Sequence, residues 1–206
     1  MAPANPDDGL THPERIHQRR EALRAVFVGI FAQQSRFVWE VGCGHGHFLT
    51  AYAQAHPDEL CLGIDLASDR IGRAARKRER SRLAHLHFIQ AEAADFLAAL
   101  PEQAKFSAAY ILFPDPWPKR RHHKNRLMTS AFLNQIAERA GEDARLYFRT
   151  DYAPYYSEAR QRLQATPAWR LVEEAWPFES PTVFQARAPD YQSFVAAKAG
   201  GKSTLS

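Results

Sequence analysis

From residue 36 onward the chain alternates short apolar, strand-like runs with segments of helical spacing, and this alternation restricts the fold more than any other feature. "RFVWEV" is followed by a helical stretch from Phe48 to Ala55, "LCLGID" by Ala67 to Arg82, and "LHFIQ" by a short helix over Ala94 to Leu100. "FSAAYILF" then precedes a helix from Leu127 to Ala140, and "RLYFRT" precedes one near Tyr155 to Gln164. Strands that alternate with helices can lie parallel, each crossover burying one face of the sheet, so the pattern predicts a doubly wound α/β domain with a mostly parallel sheet. The last stretch changes character. "WRLVEEAW" and "TVFQARA" are two strand-like runs with no helix between them, which predicts an antiparallel strand pair at one sheet edge. Ligands of such a sheet belong in the crevice beyond the carboxyl ends of its strands.

A chain of 206 residues, 45% hydrophobic, can bury one substantial core, and a single domain over residues 14–198 is expected. Residues 1–13, rich in Pro, Asp and Asn, read as a disordered N-terminus, and 199–206 read as a flexible tail. Between Glu14 and Gln34 the apolar residues Ile16, Leu23, Val26, Phe27, Ile30 and Phe31 recur at helical spacing beside Arg15, Arg19, Arg20 and Arg24, giving an amphipathic helix with a basic side. The balance of 27 Lys/Arg against 23 Asp/Glu, with nine His, leans towards anionic partners. No window reaches the roughly 18 apolar residues that span a bilayer, and the first residues lack a signal-peptide layout, so the expectation is a cytoplasmic protein without a membrane partner. The two cysteines, Cys43 and Cys61, have no metal-ligand spacing; neither a disulfide nor a metal site is expected.

Directly after the first strand comes "WEVGCGHGHFL", with glycines at 42, 44 and 46. Glycine lets a strand-to-helix turn adopt positive φ and brings backbone N–H groups close to a ligand. The dinucleotide fingerprint needs a third small residue at 47, which is His47, and the Gly-Lys-Ser/Thr ending of a phosphate loop is absent. The acidic-x-Gly-x-Gly-x-Gly run from Glu40 to Gly46 instead resembles motif I of the class I S-adenosylmethionine-dependent methyltransferases. That resemblance implies a Rossmann-like class I methyltransferase fold, with S-adenosylmethionine as cofactor held by Glu40, Gly42, Gly44 and Gly46. Asp65 ends the second strand 23 residues after Gly42, where an acid can accept both ribose hydroxyls. Glu92 and the backbone at Ala93, after the third strand, are placed to read the adenine edge.

The loop after the fourth strand reads "FPDPWPKRRHHKNR". Pro114 and Pro116 fix φ on both sides of Asp115, so this carboxylate sits on a stiffened turn. Lys119, Arg120, Arg121, Lys124 and Arg126 follow within eight residues, enough to contact several phosphates. The string resembles the signature of the bacterial tRNA (guanine-N7)-methyltransferases at Pro114, Asp115, Pro116, Trp117, Lys119, Arg121, His122, Lys124 and Arg126. The likeness extends through "GID", "RTD" at 149 to 151 and "PTVF" at 181 to 184. It implies methyl transfer to N7 of a guanine in tRNA, with Asp115 both catalytic and beside the cofactor. Lys119, Arg121, His122, Arg126, Asp151 and Thr182 are the implied substrate contacts. A monomer is expected, since one domain can hold one tRNA-sized ligand.

Guanine N7 carries an in-plane lone pair, so the chemistry asks for alignment and not for a general base. Trp117 and Tyr152 are stacking candidates for a loosened base. The chain departs from the family pattern at Asn125, where Arg is usual, at Gln185, where Glu is usual, and in lacking an Arg- and Gly-containing arm before the sheet. Two alternatives therefore stand beside tRNA: a free purine-like small molecule as acceptor, and RNA binding without catalysis.

Overall fold

The structure, a computed structural model, describes residues 10–180 and 190–200. The first helix, α1 (His12–Ile30), begins two residues before the predicted Glu14 because a capping box starts it: the Thr11 N–H donates to the Glu14 carboxylate at 2.7 Å, and Pro13 is tolerated in the first turn. Residues 12 and 13 are thus helical where disorder was expected. The rest of both predicted terminal segments lies largely outside the described residues. Then follow β1 (Arg36–Val41), α2 (His47–Ala55), β2 (Cys61–Asp65), α3 (Ser68–Ser81), β3 (Leu86–Gln90) and α4 (Ala93–Ala99). The second half holds β4 (Lys105–Leu112), a 3-10 turn over Arg120–Asn125, α5 (Ser130–Arg139), β5 (Ala140–Thr150), α6 (Ala153–Gln164), β6 (Trp169–Val172) and β7 (Gln192–Lys198).

The seven strands form one sheet in the order β3-β2-β1-β4-β5-β7-β6. The first five are parallel, as the alternation predicts, and the order reverses between β1 and β4. The expected antiparallel pair stands at one sheet edge as β6 and β7, but its second strand is not the run that was expected. β7 is antiparallel to both neighbours, inserted between β5 and β6, and its sequence is "QSFVAAK"; the expected partner "TVFQARA" lies outside the described residues. Inserting β7 pairs both of its backbone edges, which a strand at the rim could not do.

One face of the sheet is covered by α1, α4, α5 and α6 over Phe27, Phe37, Trp39, Phe96, Phe106 and Phe148, with Trp39 stacked on Phe96 at 5.1 Å. The other carries α2, α3 and the segment after β6, around Phe48, Tyr52, Tyr110 and Tyr147. The basic side of α1 is partly used for seating. Arg19 and Arg20 each bond Asp95 on α4 at 2.9 Å. Burial works against the Asp95 charge, but the Arg20 and Arg19 guanidinia outweigh it and hold the carboxyl below its ordinary range.

Gly46, the N-cap of α2 at φ +67°, is required for two reasons: an added Cβ would lie 2.5 Å from Phe88 Cζ and 2.9 Å from Ala74 Cβ. Left-handed backbone and overpacking together cost about 2–4 kcal/mol for Gly46→Ala. Thermal unfolding of that variant is expected about 5–15 °C lower than wild type, and an unchanged midpoint would contradict the packing.

Candidate active site

The reversal between β1 and β4 opens the crevice where doubly wound sheets bind ligands. Two loops flank it, the glycine loop after β1 and the Pro114–Trp117 turn after β4. Along the same carboxyl edge stand Glu92 beyond β3, Asp65 at the end of β2 and Asp151 beyond β5, so the topology lines the predicted site residues along five neighbouring strands.

Gly42, Gly44 and Gly46 all have positive φ, at 78°, 53° and 67°. The Gly42 and Cys43 N–H groups donate to the Ile64 carbonyl at 2.8 and 2.9 Å, tying the loop to β2. Asp65, only 7% exposed, completes the tie: it accepts from the Gly44 N–H (3.0 Å) and the Ala67 N–H (2.9 Å). A Cβ added at Gly42 or Gly44 would meet no atom within 4 Å, so both face open space, whereas Gly46 faces packed side chains. The sequence did not separate these roles; Gly46 serves the junction of α2 with α3 and β3.

Glu40 lies beneath this loop, 4% exposed, with Oε2 lacking any hydrogen-bond partner. Burial holds its carboxyl well above the ordinary range; the Leu49 N–H opposes that, the Asp65 charge adds to it, and Lys77 opposes. Lys77, absent from the sequence reading, donates to the His45 carbonyl at 3.0 Å and buttresses the loop from α3. Glycines facing open space, an orphaned buried carboxylate oxygen and a second acid at the ribose position suit a ligand with hydroxyls and cationic groups. An anionic pyrophosphate would meet Glu40 and Asp65 instead of donors. These residues therefore fit S-adenosylmethionine.

Asp65→Ala leaves two loop N–H groups without their charged acceptor. Hydrogen bonds to charged groups contribute about 1.5–3 kcal/mol each, so S-adenosylmethionine binding by calorimetry is expected to weaken at least about tenfold. Affinity equal to wild type would contradict this role.

On the acceptor side, Asp115 is exposed and makes no hydrogen bond or ion pair among the described residues. The turn that presents it is strained. Phe113 and Trp117, each preceding a proline, have φ of 50° and 43°, values that non-glycine residues reach only when surrounding contacts enforce them. The Phe113 N–H donates to the Arg149 carbonyl at 2.8 Å, and the Trp117 ring meets His122 edge-on at 5.7 Å.

The main enforcer is Arg126, and here the structure corrects the sequence. Expected among the phosphate contacts, its side chain is 1% exposed. It donates to the Pro116 carbonyl (2.8 Å) and the Trp117 carbonyl (3.4 Å), pairs with Glu158 of α6, and lies over the Tyr155 ring at 4.9 Å. Arg126 buckles the turn to α6 and does not face solvent. Lys119, Arg120, Arg121 and Lys124 remain exposed, and half-buried His122 accepts from Arg121 Nε at 3.2 Å. Asn125 is exposed at the end of the 3-10 turn.

Asp151 is exposed and lines a concavity of about 420 Å³ with Ala153, Asp190, Tyr191 and Gln192. Thr182 lies outside the described residues. Beside Asp151 the sequence reading missed Arg149. This guanidinium, on a residue 4% exposed, makes a bidentate pair with Glu179 (2.8 and 3.1 Å) and lies between Trp176 (3.9 Å) and Tyr191 (4.4 Å). Together with its carbonyl bond to Phe113, it joins the Asp115 turn to the segments before and after residues 181–189. The "RTD" string was the available signal, with its acid drawing attention from its arginine.

Among the described residues no helix is long and apolar enough to cross a membrane, and no cluster of three His, Cys, Asp or Glu could hold a metal ion.

Residues 34–198 match the model of a family described as putative methyltransferase. The chain is 36% identical over 152 residues to a Treponema pallidum (strain Nichols) protein named tRNA (guanine-N(7)-)-methyltransferase, covering 73% of this chain and 61% of that one. It is 32% identical over 146 residues to a Syntrophotalea carbinolica protein of the same name, covering 71% and 63%. The chain thus spans about three fifths of the length of these curated relatives. A methyltransferase from Pyrococcus furiosus shares the fold, with a TM-score of 0.57 at 11% identity over 86% of this chain and 81% of that one. A family model that spans the strand-order reversal, both flanking loops and the sheet to its last strand leaves one conclusion: the chain belongs to this putative methyltransferase family.

Proposed function

We propose that the protein transfers the methyl group of S-adenosylmethionine to N7 of a guanine in tRNA. The observation that carries this reading is the Asp115 carboxylate, exposed and without a partner among the described residues, on a buckled turn beside the glycine loop, with exposed Lys119, Arg120, Arg121 and Lys124 following it. Relatives named tRNA (guanine-N(7)-)-methyltransferase support the substrate. Glu40, Gly42, Gly44, Asp65, Glu92 and Ala93 hold the cofactor, and Asp115 borders it. When bound, S-adenosylmethionine supplies an electrophilic methyl on a sulfonium.

The residues of the chain then have two tasks. N7 needs no deprotonation, so alignment of its lone pair with the methyl is the first, and the stiff Pro114–Trp117 turn serves it. The second is charge. Methylation leaves the purine cationic, and Asp115 stabilises the charge as it develops. Lys119, Arg121 and His122 grip the phosphate backbone, Asp151 contacts the nucleoside, and Trp117 or Tyr152 stacks on the loosened base. One domain over residues 14–198, acting as a monomer in the cytoplasm, suffices for this work.

Incubation with methyl-labelled S-adenosylmethionine and either unmodified tRNA or a panel of free purines tests the reading. Label is expected in tRNA. Label confined to free purines would overturn the acceptor, and cofactor binding without any transfer would overturn the activity.

A further inference from the structure

We propose that the exposed arginine face of α3 is a second phosphate-binding strip, gripping the backbone of the same RNA whose guanine enters at the Asp115 turn. The inference rests on the tRNA reading above and extends it to a surface that lies outside the Asp115 turn. Arg73, Arg76 and Arg80 are exposed, and at 100° per residue their side chains fall within about a 60° arc of the helix. Along the axis they extend about 10 Å, one row with neighbouring Cβ atoms about 5–6 Å apart.

The opposite face of the helix seats it. Ala74 is fully buried there, close under Gly46 and the glycine loop. Packing therefore does not explain the arginines. Nor does ion pairing. Arg70 at the start of the helix lies 3.6 Å from Asp65, but Arg73, Arg76 and Arg80 make no ion pair or hydrogen bond among the described residues. Asp69 and Glu79 are exposed on the same helix and likewise lie within 4 Å of none of them. Elsewhere Arg19, Arg20, Arg36, Arg145 and Arg149 each close on a carboxylate. A row of like charges on one helix face is self-repelling, and an anionic partner relieves that repulsion.

Placement selects the partner. α3 leaves the carboxyl end of β2, and β2 lies two strands from β4, about 10 Å across the sheet, with the glycine loop between. The helix then runs back along the parallel strands β2 and β3, so the row starts about 7 Å from the crevice at Arg73 and leads about 10 Å further away to Arg80, while Lys119, Arg120, Arg121 and Lys124 follow the Asp115 turn itself. A nucleotide bound at Asp115 reaches only the first group. A folded polynucleotide reaches both.

The test is the salt dependence of binding to fluorescein-labelled unmodified tRNA, read by anisotropy between 50 and 300 mM KCl, roughly the range over which phosphate contacts dominate. The triple variant Arg73→Ala/Arg76→Ala/Arg80→Ala is compared with wild type and with Arg15→Ala/Arg160→Ala/Arg170→Ala, which removes the same charge at exposed sites elsewhere. For the α3 variant the slope of log K against log salt is expected to fall by about 2–3, with roughly tenfold or greater weakening at low salt. S-adenosylmethionine affinity and kcat at saturating tRNA stay at wild-type values while KM for tRNA rises. An α3 variant with wild-type affinity and slope, or a control that loses as much, overturns the strip and leaves the methyltransferase reading intact. Strip-dependent tRNA binding without methyl transfer does the reverse, sustaining the strip and sinking that reading. Wild-type protein that binds no tRNA overturns both.

Discussion

Asp115→Asn is expected to lower kcat for methyl transfer by about 10²- to 10³-fold, the scale on which removal of one preorganised electrostatic partner is felt. S-adenosylmethionine affinity is expected to stay nearly unchanged. Asparagine keeps the size and planar shape of the side chain, so the variant isolates the charge. Among the described residues that charge has no partner: the carboxylate is exposed, while the turn is held by backbone and by Arg126. It is therefore available to a bound partner, and the partner that changes charge in the proposed reaction is the purine. Full activity in Asp115→Asn, measured at saturating cofactor and tRNA, would remove charge stabilisation from the account and leave Asp115 as a shape element.

Arg126→Ala is expected to act through the fold and the site together. The truncation strands the Pro116 and Trp117 carbonyls and removes one cation from Glu158, which retains Arg162 at 2.5 Å. Breaking a buried, hydrogen-bonded ion pair costs about 3 kcal/mol, here towards the low end because Glu158 keeps a partner. A loss of that size lowers the melting temperature by about 6–12 °C in a chain of this length. Below the melting transition, kcat is expected to fall at least about tenfold, since the strained turn at Phe113 and Trp117 loses its enforcer and Asp115 its fixed position. Arg126→Lys restores a charge but not the fork that reaches two carbonyls and a carboxylate, so it recovers little. A folded Arg126→Ala variant with wild-type kcat and reduced tRNA affinity alone would return Arg126 to the phosphate-contact role.

The parallel half of the fold was legible because its signals are local. Apolar runs and helical spacing alternate, β3 falls on "LHFIQ" as read, and the glycine loop and the Asp115 turn land on either side of the strand-order reversal. The errors came where a distant residue decides. "QSFVAAK" is a short apolar run that its own pattern did not mark as a strand, and hydrogen bonding to β5 and β6 makes it one. Arg126 looks like its neighbours in a basic run, and it points inward because Glu158, 32 positions along the chain, waits on α6. Arg149 is another such case: its partners Trp176, Glu179 and Tyr191 follow 27 to 42 positions later. The row on α3 had a legible composition, seven Lys/Arg between residues 70 and 82, but that Arg73, Arg76 and Arg80 lack acidic partners among the described residues needed the structure.

The central claim is that the methyl group goes to N7 of a guanine within tRNA. Two transcripts of one tRNA sequence test it most directly, one ordinary and one in which 7-deazaguanine replaces guanine, exchanging N7 for a carbon and leaving the pairing edge intact. With methyl-labelled S-adenosylmethionine, the account predicts label in the ordinary transcript, recovered as 7-methylguanosine on digestion, and none in the 7-deaza transcript. Equal labelling of both transcripts, or label recovered in any other nucleoside, would contradict it.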